Sequence, residues 1–192
     1  MGRVILAVVL GAAIQYGWGA LSWMVLGWHE PTMGQLKNED ALRIALGSST
    51  ESDKDLAYYF PAPTPNPTPE QQAAWEKKHK DGPVGVILYN PAGMESMGQQ
   101  TMLNGAVLSL VSTILAVAVL IMTLSPGQTY LKRVFIVVAM GIFAAVTRDL
   151  NFWNWMHYPF MYSIINAADA IVGWTAAGLV IAALIKPTPK AA

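Results

Sequence analysis

Few residues in this chain are equipped for chemistry, and most of them lie in apolar surroundings. Asp169 sits about two helical turns inside a long apolar run. A carboxylate at that depth is expensive in hydrocarbon and normally faces a bundle interior with a partner. Arg148 is the natural partner, Asp149 competes for it, and Asn166 shares a helix face with Asp169 by the 3–4 spacing. Arg148, Asp149, Asn166 and Asp169 are therefore expected as an intramembrane polar cluster. One reading makes it a proton or ion site. The simpler reading is a structural clamp between Arg148 and Asp169.

The other candidates are scattered. His29, His79 and His157 include no i, i+4 pair and none mid-span, so a haem held by facing histidines is not expected. His157 suits an interfacial hydrogen bond, with metal or pigment ligation as the alternative. His79 follows two lysines and suits the C-terminal end of a helix dipole. Met94, Met97 and His29, with Met33 and Met102, are the candidates for a soft Cu(I) site. The chain has no cysteine, which excludes disulfides, thiolate metal sites and thioether haem attachment. Phosphate loops, nucleophile elbows and zinc spacings are missing too, so no catalytic residue, cofactor or metal is expected.

Four apolar segments must position these residues. Residues 4–28 carry no charge and are long enough to cross a hydrocarbon core of about 30 Å. They read as an uncleaved signal anchor, being longer than a signal-peptide core. Further spans are expected at 101–124, 132–150 and 163–185. Small and polar residues at helical spacing mark packing faces with interhelical hydrogen bonds: Gly11, Gln15, Gly19 and Ser22 on the first span, Asn104, Gly105, Ser109 and Ser112 on the second, and Gly173 on the fourth. Trp23, Trp28, Trp153, Trp155, His157 and Tyr158 form an expected interfacial aromatic belt. The 151–162 piece is expected along the interface, interrupted by Pro159.

Composition agrees. Of 192 residues, 54% are apolar and only 12% are charged, and mean hydropathy is +0.38. A soluble domain carries roughly a quarter charged residues. A disordered chain and a basic nucleic-acid binder are excluded. The zero net charge is a sum of unlike parts. Residues 29–100 hold six basic and ten acidic residues, and the rest holds six and two. Arg3, Lys132, Arg133, Lys186 and Lys190 flank the spans on one side, and only Arg148 lies in the short flanks of the other. The positive-inside rule then places both termini in the cytoplasm and residues 29–100 outside.

That insert carries its own signals. Asn38 caps a helix over 39–46 that stops at Gly47 and buries Leu42, Ala45 and Leu46. Ala57 to Phe60 reads as a strand, 61–69 as a Pro-rich connector, Thr68 to Lys80 as a capped helix, and Val84 to Tyr89 as a second strand. The predicted fold is a membrane all-α protein, a four-transmembrane-helix bundle with a small extracytoplasmic α+β insert between the first two spans. A cap of about 70 residues is a marginal core and needs a surface to rest on.

Several blocks taken together carry a resemblance. They are Trp18-Gly-Ala-Leu-Ser-Trp-Met-Val-Leu-Gly-Trp-His29, Asn38-Glu-Asp-Ala-Leu42, Gly82-Pro83, Trp153-Asn-Trp155 with Tyr158-Pro159, and Asp169 with Gly173-Trp174. The chain resembles a family of small uncharacterised bacterial inner-membrane proteins over most of its length, the Pro-rich connector excepted. The resemblance implies a bacterial four-helix membrane protein and brings no catalytic residue. The leading functional reading is a non-enzymatic accessory subunit of a larger membrane complex, respiratory or photosynthetic, contacting lipids and other integral subunits and no nucleic acid. The alternatives are a small proton-coupled or transport protein using Asp169 and Arg148, and an extracytoplasmic metal or small-ligand binder.

Overall fold

The computed structural model describes residues 1–51 and 54–187. Asp53 and Lys190, counted among the sequence charges, lie outside the described residues. Among the described residues, four helices are long and apolar enough to cross a membrane. They are α1 (Gly2–Met24), α4 (Gln99–Met122), the run from Tyr130 to Met156, and α7 (Phe160–Leu184). Between α1 and α4 lie a 3₁₀ turn (Glu30–Thr32), α2 (Glu39–Ser49), β1 (Leu56–Phe60), α3 (Pro69–Asp81) and β2 (Gly85–Tyr89). The run from Tyr130 is α5 (Tyr130–Ala145), a π-helical turn (Val146–Leu150) and α6 (Asn151–Met156).

α7 packs between α5 and α1, and α4 covers the other side of α1. The apolar core fills one end of the bundle. Ala7 of α1, Val117 and Leu120 of α4, Val137 of α5, and Ala177 and Ile181 of α7 form one buried cluster. Small residues decide how closely the helices approach. A Cβ on Gly11 would lie 2.8 Å from Thr113 and 2.9 Å from Ile181, so three helices meet there. Gly105 receives the Tyr16 ring, and Gly173 receives Trp18 and Gln15. Gly19 differs from the packing expectation, because nothing lies within 4 Å of its missing Cβ. The polar groups of α4 also differ. Ser109 and Ser112 donate to carbonyls of their own helix, and Asn104 accepts from Gln100 one turn away. A hydroxyl in a helix reaches the carbonyl three or four residues back more readily than a neighbouring helix.

Several boundaries move for identifiable reasons. α1 ends four residues before Trp28, because the chain reverses at Gly27 with φ +64°. The third helix does not stop at Leu150. No Pro or Gly occurs between Val146 and Met156, and Asn151 ties back to the Thr147 carbonyl across the π turn. The expected interfacial 151–162 segment is therefore helical to Met156. The break comes at His157 in the left-handed region (φ 57°), and Pro159 serves as the N-cap residue of α7. α2 runs through Gly47 to Ser49 and buries no residue. Ala45 is exposed and Leu46 only partly covered, so the expected apolar contact of this helix is not made within the chain.

The strands pair antiparallel, Leu56 opposite Tyr89 and Phe60 opposite Gly85. The sheet and α3 rest on the turn after α6. Tyr59 Oη donates to Met156 Sδ at 3.3 Å, and His79 meets His157 edge-on at 5.0 Å. α3 starts with a full capping box between Thr68 and Gln71. Its own backbone N–H, and then the Thr68 hydroxyl, hold the Glu70 carboxyl below its ordinary value of 4.5. A carboxyl depressed in the folded state stabilises above the unfolded pKa, and that stabilisation is lost as pH falls through the folded value. The protection factors of the first-turn amides of α3, corrected for the intrinsic pH dependence of exchange, should therefore fall slightly below about pH 4.5, and Glu70→Gln should remove much of that fall.

Candidate functional site

At the insert end of the bundle, the chain reversal after Met24 folds Trp28 and His29 back against α1. Both then meet α7. Asp169 Oδ1 accepts from Ser22 Oγ at 2.6 Å and from Trp18 Nε1 at 2.7 Å. The same indole also reaches the Asp169 carbonyl at 3.1 Å. Ser22 Oγ accepts from Trp28 Nε1 at 3.1 Å and lies 3.1 Å from His29 Nε2. Trp23 stacks on the imidazole at 3.9 Å with planes 10° apart, and Trp28 meets it edge-on. Ser22 and His29 are fully buried.

Counting donors assigns the protons. Ser22 has one O–H, given to the carboxylate, and two lone pairs. Trp28 fills one, and a His29 tautomer carrying its proton on Nε2 fills the other. His29 Nδ1 is then the free acceptor, buried and without a partner among the described residues. Ser22, His29 and Asp169 are the residue types of a hydrolytic triad, but the geometry is not one. In a triad the carboxylate orients the imidazole through the nitrogen opposite the nucleophile. Here Ser22 and Asp169 both lie on the Nε2 side, and the Ser22 proton goes to the carboxylate. This is a tie between α1, the reversed segment and α7.

The expected Arg148–Asp169 clamp is not formed. Arg148 pairs side-on with Asp149, Nε to Oδ1 at 2.9 Å and Nη2 to Oδ2 at 3.1 Å. Consecutive residues of an α-helix point about 100° apart. The π turn sets both residues locally, with Asp149 buried and the Arg148 side chain 59% exposed. Asp149 is thus compensated from its own helix, and Asp169 is held by neutral donors.

The four clustered residues nonetheless line one cavity of about 360 Å³, together with Trp23, Tyr162 and Ser163. Asn166 donates Nδ2 to the Tyr162 carbonyl of its own helix at 2.7 Å. Ser163 Oγ is buried without a partner among the described residues. Of the expected aromatic belt, Trp155 is exposed, Trp153 packs on Phe160 and His157 on His79. Trp28 instead belongs to the buried network.

The copper candidates separate. His29 is inside the network, Met94 is exposed, Met97 and Met102 line an α1–α4 cavity, and Met33, half exposed, lines a different cavity with Gly85 and Val86 of β2. His29 and Met33 belong to the α1–α2 segment, Met94 and Met97 to the β2–α4 segment, and Met102 to α4 itself. Among the described residues no group of three or more His, Asp or Glu is placed to hold a metal ion.

Two structural residues were not evident from sequence. Trp18 shares a face with Ser22 at i, i+4 spacing, which was the available signal. Arg133 reads as a flanking charge, yet it is buried and binds the Ala182 carbonyl in the last turn of α7 and the Gln128 carbonyl. A cation there complements the negative end of that helix. Comparison with models of known families, with curated proteins and with solved structures finds no match.

Proposed function

We propose that the chain is a non-enzymatic accessory subunit of a larger complex in a bacterial inner membrane, with both termini cytoplasmic and residues 29–100 outside. Charge supports the orientation. Arg3, Lys132, Arg133 and Lys186 lie at the end opposite the insert, and the acidic excess lies in the insert. Outward apolar side chains on the long helices, among them Leu108, Leu115, Phe135 and Phe143, suit lipid or partner helices.

The observation that carries the reading is the bare surface of the insert. α2 buries nothing, Ile44 is 75% exposed on it, and Leu88 is 73% exposed on the sheet. A two-stranded sheet also leaves both outer edges unpaired. Outside the hydrocarbon such a surface is stabilised by a docked partner. The network around Asp169 fits a scaffold role, since it fixes the insert to the bundle and offers no activated nucleophile.

Photo-crosslinking residues placed at Ile44 and Leu88 in native membranes, followed by mild-detergent extraction and mass spectrometry, test the reading. The expected result is one stoichiometric membrane partner captured from both positions. A clean monomer with no captured partner would refute it.

A further inference from the structure

Arg133 carries a full charge that no side chain among the described residues neutralises. It is 6% exposed in the first turn of α5, and each of its contacts is neutral. Nε donates to the Ala182 carbonyl at 3.2 Å, and Nη1 to the Gln128 carbonyl at 2.6 Å. The guanidinium carbon lies 5.9 Å from the centre of the Tyr130 ring. Every acidic residue of the sequence falls between positions 30 and 95 or is Asp149 or Asp169. Asp149 and Asp169 sit at the insert end, about 20 Å or more away along α5 and α7 at about 1.5 Å per residue. The negative end of α7 offsets about half a charge, and the positive end of α5 restores as much.

Buried charges are normally paired, and here the pairing group has a way in from outside. Arg133 Nη2 has no acceptor among the described residues and is not sealed within the protein. The bond to Gln128, two residues before α5, sets the guanidinium at the start of that helix. The backbone N–H groups of Tyr130 and Leu131 there donate to nothing among the described residues. Lys132 is exposed next in sequence, and Lys186 is exposed just past the end of α7. We infer that this end of the α5–α7 seam binds a phosphate group. A guanidinium fork takes two phosphate oxygens through parallel N–H bonds, and a helix start offers further N–H donors to an anion. In a chain that spans a membrane, this end meets the headgroup layer, where phosphate is the abundant anion. The inference rests on the membrane-spanning reading and not on the accessory role. The phosphate has two sources, the headgroup of an anionic phospholipid or free phosphate.

Native mass spectrometry of the full chain in a non-ionic detergent tests the site, with phosphatidylglycerol and sodium phosphate titrated separately. One saturable adduct per chain is expected. A phosphatidylglycerol adduct that sodium phosphate does not displace assigns the site to the headgroup, and a saturable phosphate adduct assigns it to free phosphate; either result upholds it. Arg133→Gln keeps an amide donor for one carbonyl and removes the charge, so affinity should fall about tenfold. Lys132→Gln removes an exposed charge whose side chain makes no hydrogen bond among the described residues, and should cost no more than about threefold. Should Arg133→Gln fail to fold, crosslinking decides on the parent chain. Phosphatidylglycerol and phenyl phosphate, each carrying a photoreactive group, should label the 128–133 or 182–186 stretch. No saturable adduct with either titrant, equal losses in the two variants, or labelling confined to other stretches would overturn the inference. A chain that binds phosphate here yet captures no partner would refute the accessory role alone.

Discussion

Asp169→Ala should lower the unfolding free energy by about 2 kcal/mol, and Asp169→Asn by less than about 1. The alanine variant removes the acceptor of both the Ser22 hydroxyl and the Trp18 indole. Hydrogen bonds between helices in lipid are worth about 0.6 kcal/mol on average and at most about 1.7. Two such bonds, plus a Ser22 hydroxyl left to compete with Trp28 and His29, give the figure. Trp18 keeps the Asp169 backbone carbonyl, which limits the loss. Removing an intramembrane charge works in the opposite direction. That gain is small here, because the side chain is 14% exposed and lines a polar cavity. Asparagine keeps an acceptor oxygen and removes only the charge, so the pair separates the two contributions. Reversible unfolding in mixed micelles measures both. The same loss in both variants would mean that charge, and not the acceptor, secures the network. The alanine variant should also release the reversed segment, seen as faster proteolysis after Trp28.

The network shows where sequence reading reaches its limit. Ser22, Trp28, His29 and Asp169 were each recognisable as special, because each is a polar or aromatic group beside or within an apolar run. Their convergence was not, because it depends on a reversal at Gly27 that periodicity does not report. A run of 25 uncharged residues reads as one straight span, whereas the helix ends at Met24 and returns His29 to the level of Ser22. The sequence offered both Asp169 and Asp149 to Arg148 and ranked Asp169 first, for a related reason. Helical spacing is computed at 3.6 residues per turn, and the π turn over Val146–Leu150 breaks that count just where Arg148 and Asp149 sit. The capped helix α3 and the pairing of the two strands were legible because they depend on local chemistry. Thr68, Pro69 and Gln71 make the cap within four residues. Four helices long and apolar enough to span were legible from hydropathy alone.

Close helix approach was less fully legible, and Gly141 makes the sharpest test of it. Gly141→Ala should destabilise the chain by about 1–3 kcal/mol, and Gly141→Leu by more. A Cβ at this position would lie 2.5 Å from Trp174 Cβ, 2.8 Å from its Cγ and 2.9 Å from its Cδ1. α5 and α7 form the most extensive helix pair in the molecule, so one added atom there must push the helices apart or bend them. The obstruction is Trp174 Cβ and not the far end of its ring, so rotating the indole cannot relieve it. This gives the prediction an internal check. In a Trp174→Ala background the Cβ remains, and most of the Gly141→Ala penalty should persist. In a Trp174→Gly background the Cβ is gone, and adding Gly141→Ala should cost close to nothing. Gly17 and Gly19 on α1 serve as controls, because nothing lies within 4 Å of either missing Cβ. Alanine there should be neutral, or stabilising by up to about 1 kcal/mol through helix propensity. An equal effect of alanine at positions 19 and 141 would show that the α5–α7 seam yields, and that its close approach is not what holds the two helices together.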